Sequence, residues 1–589
     1  MANEIIFEVK DCTKRFGPTT ALNHVNFTIR KGEITGLIGE NGSGKSTLSA
    51  IMTGIYDRNG GEMYFKGEKW EPKSMIWSMN NGIGIIVQEK GTINNITVAE
   101  NIFLGEASKF ALFKTKKGKT WGPIVRKKMY AAADKVENAT LLAHVCGDEA
   151  SAVGVNWAFA PVSDIDLNWR NPITNTRLYC NDYKKVAAYT TAYIKEIQKL
   201  NLHGCGKHFP GDGVDERDQH LVASVNSLSR ENWMKTYGHI YKTQIENGVN
   251  TIMIGHILQP AWEKYLTPGL KDKDCMPGTL SKGIVTGLLR GELGFKGMIT
   301  TDATTMAGMT TMMKRELAVP TTIAIGCDCF LFTKNLDEDY KFMKAGYENG
   351  IITPQRLDEA VTNVLAAKAS IGLHKAKADG SIMKDPEAAR KIVGCKEFQE
   401  DAEKIADNCI TIIKEEKGVL PLLPKKYKKV LLYGLEVEAP NVFGFTADSI
   451  INDFQKKLEN EGFEVTRFSP QKALKEGMLQ GVEDMKKNYD LLLYCANLAT
   501  KSNQTSIRIE WHILFGTDVP VYVKEIPTVF VSLENPYHLI DVPRVETFIN
   551  TYGGSKYILN SLVDKLMGRS EFKGKDPVDS FCGMWDTHL

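Results

Sequence analysis

The sequence predicts an α/β protein assembled in successive parts, and three observations carry that prediction. From about residue 140 to the C-terminus, short apolar runs alternate with amphipathic helical stretches, the pattern of parallel βα units. Near the N-terminus a glycine-rich loop ending in Gly44-Lys45-Ser46-Thr47 stands between a strand-like and a helix-like run. Polar and titratable residues gather where central apolar runs end: Lys207 and His208 after one, His256 after another, Asp302 after a third. Barrel enzymes place their sites at such strand ends.

A chain of 589 residues exceeds what one core can organise, so two to four domains are expected. Its apolar content of 43% and charged content of 24% are those of an ordinary globular protein. A net charge of +2 gives no electrostatic case for a nucleic-acid partner, and the lysine runs at 114–119 and 425–429 read as solvated loops. No apolar run reaches membrane-spanning length, and the first residues lack the basic and apolar regions of a secretion signal. The eleven cysteines have no paired spacing, and several, such as Cys327, Cys329 and Cys495, sit in apolar runs as reduced thiols would. The expected location is the cytoplasm, without direct membrane insertion.

Taken in order, Ile34 to Ile38 reads as a buried strand and Leu48 to Ile55 as a helix, with the glycine-rich loop Gly39 to Thr47 between them. In such a loop the stretch holding Gly39, Asn41, Gly42 and Gly44 turns its backbone N–H groups onto phosphates, and the helix N-terminus adds its dipole. Lys45 would reach the β and γ phosphates and Ser46 would ligate Mg²⁺. Residues 1–135 resemble the first half of the ATP-binding subunit of a sugar ABC transporter. The resemblance implies that Phe16 stacks on adenine, that Thr47 belongs to the phosphate loop, and that Gln88, in Ile85-Ile86-Val87-Gln88-Glu89, joins Ser46 at the metal. Thr97 to Gly105 matches the run that follows that glutamine in sugar importers. The Leu-Ser-Gly-Gly-Gln signature and an apolar strand ending in Asp-Glu are both missing, so this stretch is a partial P-loop NTPase domain. ATP and Mg²⁺ are the ligands it could take; hydrolysis is not expected. A transporter permease would be its partner only if that resemblance carried the function.

No Pro/Gly/Ser-rich linker follows. Lys128 to Val136 and Leu141 to Val153 both read as helix, one pattern passing into the next. Five strands are then expected, at Val155–Pro161, Gly204–Phe209, Thr251–Gly255, Gly297–Thr301 and Cys327–Phe332, with helices such as Tyr183–Leu200 and Lys282–Leu289 between them. Thr353 and Pro354 start a last helix whose apolar stripe is Leu357, Ala360, Val361, Val364 and Leu365.

The segment Lys207-His208-Phe209-Pro210-Gly211-Asp212-Gly213, running on to Asp218-Gln219-His220, resembles the acid/base loop of family 3 glycoside hydrolases of the β-N-acetylglucosaminidase type. The resemblance covers about three quarters of the chain. It implies an incomplete (β/α)8-type barrel over 140–374, lacking its beginning, and an α/β layered C-terminal domain over 395–589. It implies that Asp302 is the nucleophile and that Asp218 and His220 form the acid/base dyad. Lys207, His208 and Arg177 are implied as sugar contacts, and His256 is placed with them by its strand-end position. A retaining glycosidase needs its two groups on opposite faces of the anomeric carbon, roughly 5–5.5 Å apart. An imidazole, with an unperturbed pKa of about 6.5, can give and take a proton near neutral pH. No cofactor is needed for that chemistry.

The C-terminal part alternates again, with strands at Lys429–Tyr433, Tyr489–Tyr494 and Thr528–Leu533 and helices at Asp448–Asn460 and Lys556–Met567. It carries no acid or histidine cluster and is expected to pack against the barrel and to support a homodimer. The expected function is hydrolysis of β-N-acetylglucosaminides, a small carbohydrate substrate; the alternatives are the ATP-binding component of a sugar importer and an inactive fusion of both.

Overall fold

A computed structural model describes residues 4–16, 19–33, 35–37, 43–84, 127–436, 449–470, 481–500, 502–503, 505–511 and 516–589. The chain forms two compact units that divide between Thr120 and Trp121.

In the first unit, strands Ile5–Phe16 and Thr19–Arg30 pair antiparallel, and Gly60–Phe65 and Glu68–Lys69 complete a four-stranded sheet. The inward residues Phe7, Val9, Cys12, Leu22 and Met63 close on Leu48 and Ile51 of helix Lys45–Met52 and on Trp70. The strand expected over Ile34–Ile38 does not form where it is described: Thr35 to Leu37 lie outside any strand and are exposed. A parallel strand needs neighbours to take its N–H and C=O groups. Among the described residues the four-stranded antiparallel sheet does not take it up.

The second unit begins its described course with helices Lys127–Ala132 and Glu137–Ala152. The helical pattern is not continuous as expected. Asp134, at φ 50°, breaks it, and its carboxylate takes Lys185 at 2.7 Å and Lys575 at 2.8 Å. Hydrogen bonds from those lysines hold this carboxyl below its ordinary range. Lys128 is fully buried and pairs with the buried carboxylate of Asp166, with the Tyr537 ring 5.5 Å from its ammonium. Residues 127–134 are therefore tied to both the barrel segment and the C-terminal segment.

Of the five expected barrel strands, three form a parallel sheet: Cys205–Phe209, Thr251–Ile254 and Met298–Thr301. The outer two appear as isolated parallel bridges: Trp157 with His203 and Val162 with Lys207 on one side, and Cys329 with Thr300 on the other. The five segments follow one another in order, and the three central strands are buried almost throughout. Ile252, Ile254 and Ile299 pack beneath Phe209, Trp233, Tyr237, Ile284 and Leu288. Each such side chain contributes about 1.5–3 kcal/mol on burial. Helix Pro354–Ser370 starts as expected, Thr353 accepting from the Arg356 N–H at 3.2 Å. Its stripe differs from expectation: Ala360 is buried, whereas Val361 and Leu365 are 49% and 57% exposed. The apolar cluster that the helix joins, Ile323, Ile352 and Ala360 with Leu357 beside them, leaves Val361 and Leu365 outside it.

The C-terminal segment forms a six-stranded sheet in the order Thr411–Lys414, Thr547–Asn550, Thr528–Ser532, Leu491–Asn497, Lys429–Glu436, Glu464–Arg467, parallel except for the first pair. One face packs on helices Lys396–Cys409, Ile450–Asn460 and Lys556–Leu566, and this core extends to Met129, Leu142 and Ile197. The other face carries a stacked row, Tyr433, Tyr494, Phe530 and Phe548. No described helix is long and apolar enough to cross a membrane, and each of the eleven cysteines is a free thiol.

One buried group in this domain sets an acid limit. His538 bonds Ser532 Oγ at 2.7 Å through Nδ1, and burial alone lowers its pKa from 6.5 to about 3. The folded state keeps the ring neutral while the unfolded chain protonates near pH 6.5. Its contribution is therefore intact above pH 6.5 and is lost as the pH falls towards 3. Urea unfolding at pH 7.5 and 5.0 should show a stability drop of a few kcal/mol that His538→Gln reduces.

Candidate functional site

The strand Cys205–Phe209 brings Lys207 and His208 to the barrel's upper rim. His208 is fixed from two sides by the buried Asp164: its backbone N–H donates at 3.1 Å and its Nδ1–H at 2.7 Å. Asp164 also accepts the Asp212 N–H at 2.8 Å. Burial would raise the Asp164 carboxyl, but His208 and these N–H donors hold it below its usual value. Burial in turn lowers His208 despite Asp164. The Nδ1 proton is thus fixed on Asp164, and Nε2 lies 3.8 Å from Asp302 Oδ2.

Asp302 stands one residue past strand Met298–Thr301. Its N–H donates to Ile254 O at 2.8 Å, and its Oδ1 accepts the Ala303 N–H at 2.7 Å. Burial pushes its carboxyl upward, but His208, His256, Lys207 and the Ala303 N–H outweigh that and leave it lowered. Asp302 is therefore an ionised carboxylate with 15% of its side chain exposed. Burial and the Arg177 charge lower the Lys207 ammonium, partly offset by Asp302. Arg177 closes the short turn Asn175–Arg177, which Asn175 ties to Asn535 of the C-terminal segment at 3.0 Å.

The loop after His208 is held along its length. Pro210 O accepts from the Trp233 indole at 2.7 Å, Gly211 O from Asn226 at 3.0 Å, and Asp212 O from the Tyr237 hydroxyl at 2.5 Å. At its end His220 donates its Nδ1–H to Asp218 Oδ1 at 2.6 Å and its backbone N–H to the same oxygen at 2.9 Å. Asn503 N–H, 285 residues onward, donates to Asp218 Oδ2 at 2.7 Å. Burial raises the Asp218 carboxyl, but these bonds leave it net lowered. The His220 side chain is 29% exposed. A cavity of about 340 Å³ opens beside Asp218, lined by Trp169, Arg170, Arg217, Leu221 and Val222 and by Thr505 to Arg508.

His256 behaves differently from the expected sugar contact. Its Nδ1 accepts from the Thr279 hydroxyl at 2.8 Å and its Nε2–H donates to Ala303 O at 2.9 Å. Both ring nitrogens are committed to protein, and burial lowers the group. It supports the turn after Asp302 and has no ring atom left for a ligand.

In the first unit, Gly39, Asn41, Gly42 and Gln88 lie outside the described residues. Gly44, at φ 87°, leads into helix Lys45–Met52, whose first turn holds Lys45, Ser46 and Thr47. A Cβ at Gly44 would sit 2.5 Å from Ala21 O, so only glycine fits. Lys45 Nζ lies 3.2 Å from Ser43 Oγ. Phe16 is 43% exposed and meets Tyr56 edge-on at 5.2 Å, with the Lys14 ammonium 4.9 Å from its ring. A helix start, a lysine and an exposed aromatic suit a nucleotide; the supporting parallel strand does not form at Thr35 to Leu37. Among the described residues no group of three or more His, Cys, Asp or Glu side chains is arranged to hold a metal ion.

Sequence reasoning missed Asp164, Asp212, Gln219 and Asn503. Asp164 lies outside the motifs, Asp212 and Gln219 stand inside the loop motif without an assigned role, and Asn503 acts through its backbone, which no residue type reveals.

The profile of the glycosyl hydrolase family 3 N-terminal domain matches residues 95–367, and that of the ABC transporter family matches residues 22–154. A β-N-acetylglucosaminidase/β-glucosidase of Cellulomonas fimi is 48% identical over 464 residues, 78% of this chain and 80% of that protein. The solved structure of a β-glucoside phosphorylase, BglX, superposes with a TM-score of 0.74 at 41% identity, covering 81% of this chain and 84% of that one. The xylose import ATP-binding protein XylG of Histophilus somni is 46% identical over 102 residues, 17% of this chain and 20% of that protein. These matches agree with both resemblances read from the sequence, and the chain spans about a fifth of the importer's length.

Proposed function

Since this chain belongs to glycosyl hydrolase family 3, we propose that it is a retaining glycosidase for β-N-acetylglucosaminides, with Asp302 as nucleophile and the Asp218–His220 dyad as acid/base. The observation that carries this reading is a largely buried strand-end Asp302 whose turn is hydrogen-bonded to the loop ending in a histidine with its Nδ1–H fixed on a carboxylate. Ala307 and Gly308, in the turn after Asp302, donate N–H groups to the carbonyls of His220 and Gln219, both at 3.1 Å. The dyad loop and the nucleophile turn are thus one assembly.

In the proposed mechanism Asp302 attacks the anomeric carbon, and the C–O bond to the leaving group breaks as His220 Nε2–H protonates the departing oxygen. The glycosyl–Asp302 ester forms with inversion. His220, now neutral, takes a proton from the acceptor, which attacks the same carbon, breaks the ester and restores the configuration. Asp218 holds the imidazole tautomer and stabilises its cation, as the third member of a catalytic triad does. Sugar hydroxyls meet Lys207, Arg177 and His208 Nε2; the leaving group lies in the cavity beside Asp218. The N-acetylglucosaminide preference is supported by the Cellulomonas fimi relative, whose name covers both that sugar and glucose. Purified protein should release nitrophenol from 4-nitrophenyl N-acetyl-β-glucosaminide at a higher kcat/KM than from the β-glucoside; the reverse order would overturn the sugar assignment.

Phosphate is a second acceptor for the same intermediate. A neutral histidine base does not repel an anion as a carboxylate would, and the BglX similarity supports this reading. Inorganic phosphate should then divert product to the sugar 1-phosphate, detectable by phosphorus NMR. The nucleotide alternative rests on the first unit alone, and transport is a property of the importers. Titration of a fluorescent ATP analogue with Mg²⁺ tests whether that unit binds nucleotide.

A further inference from the structure

We infer that Gln219 is the positioning residue that locks the acid/base loop onto the nucleophile turn, an inference that rests on the catalytic reading above. Gln219 lies between the two dyad residues and is 1% exposed. Its Oε1 accepts the His256 N–H at 2.8 Å, and its amide NH₂ donates to Asp212 Oδ2 at 3.2 Å. The orientation is unambiguous, because a backbone N–H can only donate.

Each partner leads to the reacting groups. His256 follows strand Thr251–Ile254, whose last carbonyl takes the Asp302 N–H, and its ring holds the Ala303 carbonyl. Asp212 is bonded through its N–H to Asp164, which fixes His208. The Gln219 backbone continues the lock, its carbonyl accepting from Gly308. A Cβ at Gly308 would sit 2.5 Å from that carbonyl and 2.9 Å from His256 Cβ, so the close seating requires glycine. Residues 218–222 form a turn closed by Leu221 and Val222 N–H groups on Asp218 O. The turn is closed on itself, and Gln219 is the side chain that ties it both to His256 and to Asp212.

Only one residue type meets both demands at this length. Glutamate keeps the acceptor for the His256 N–H but has no N–H to donate to Asp212 Oδ2. Asparagine is one methylene short, and methionine fills the space without either bond.

The test compares kcat/KM for two substrates in Gln219→Met, Gln219→Glu and His220→Ala. N,N′-diacetylchitobiose has a poor leaving group that needs a proton; the 2,4-dinitrophenyl glycoside does not. General acid catalysis is worth about 10²–10⁴-fold. Both Gln219 variants should lose roughly 30-fold on chitobiose and under about 3-fold on the dinitrophenyl substrate. His220→Ala should show the same split, larger. Equal losses on both substrates in either Gln219 variant, or no loss on either, would overturn the inference. An absent split in His220→Ala would instead sink the acid/base reading itself. Thermal unfolding of each variant identifies one that is merely misfolded, and the other then decides.

Discussion

Asp302→Asn is expected to lower kcat/KM on 4-nitrophenyl N-acetyl-β-glucosaminide by on the order of 10⁴-fold or more, with the fold intact. The argument is one of charge at constant shape. Asparagine keeps an oxygen for the Ala303 N–H, now 2.7 Å from Asp302 Oδ1, and its NH₂ can face His208 Nε2. What it removes is the anion that His208, His256 and Lys207 stabilise against burial. An amide does not form the glycosyl ester, so both half-reactions are lost. Binding of a neutral sugar lactone should change far less, because Lys207, His208 and Arg177 remain. A residual activity within tenfold of wild type would move the nucleophile elsewhere.

Lys128→Ala should destabilise the second unit by roughly 3–5 kcal/mol, the cost of stranding one member of a buried ion pair. Lys128 and Asp166 are essentially inaccessible to solvent, and Asp166 Oδ1 already lacks a partner. Removing the ammonium leaves that carboxylate buried without its counter-charge. The double variant Lys128→Met/Asp166→Leu should recover most of the loss, since apolar replacement removes both desolvation penalties. Urea midpoints of the three proteins check this. If Lys128→Ala matches wild type, residues 127–134 are not integral to the hydrolase unit.

That second result bears on how far the sequence was legible. The strand ends were readable because parallel strands buried on both faces give continuous apolar runs, and Asp302, Lys207 and His208 interrupt them. The Asp218–His220 pair came from the resemblance to the family's acid/base loop, and the two side chains do meet, at 2.6 Å. The supports were not legible. Asp164 and Gln219 matter through contacts 44 and 37 residues distant, and local pattern carries no such information. His256 shows the converse error: a strand-end histidine looks like a ligand contact, yet Thr279 and Ala303 consume both its nitrogens. The helical run near residue 134 read as continuous because composition does not reveal one residue at positive φ. The strand at Ile34–Ile38 read as buried because its residues suit a sheet centre, whereas forming it needs parallel neighbours that the described residues of the first unit do not provide.

We expect this chain to assemble a working retaining site at the ends of its parallel strands. Trapping the intermediate tests that expectation most directly. A fluorinated N-acetylglucosaminyl fluoride slows the second half-reaction more than the first, so the ester accumulates. After incubation, intact-mass measurement should show the protein heavier by one glycosyl group, and peptide mapping should place that group on Asp302. A folded protein that gains no mass, or that carries the sugar on another residue, would contradict the account.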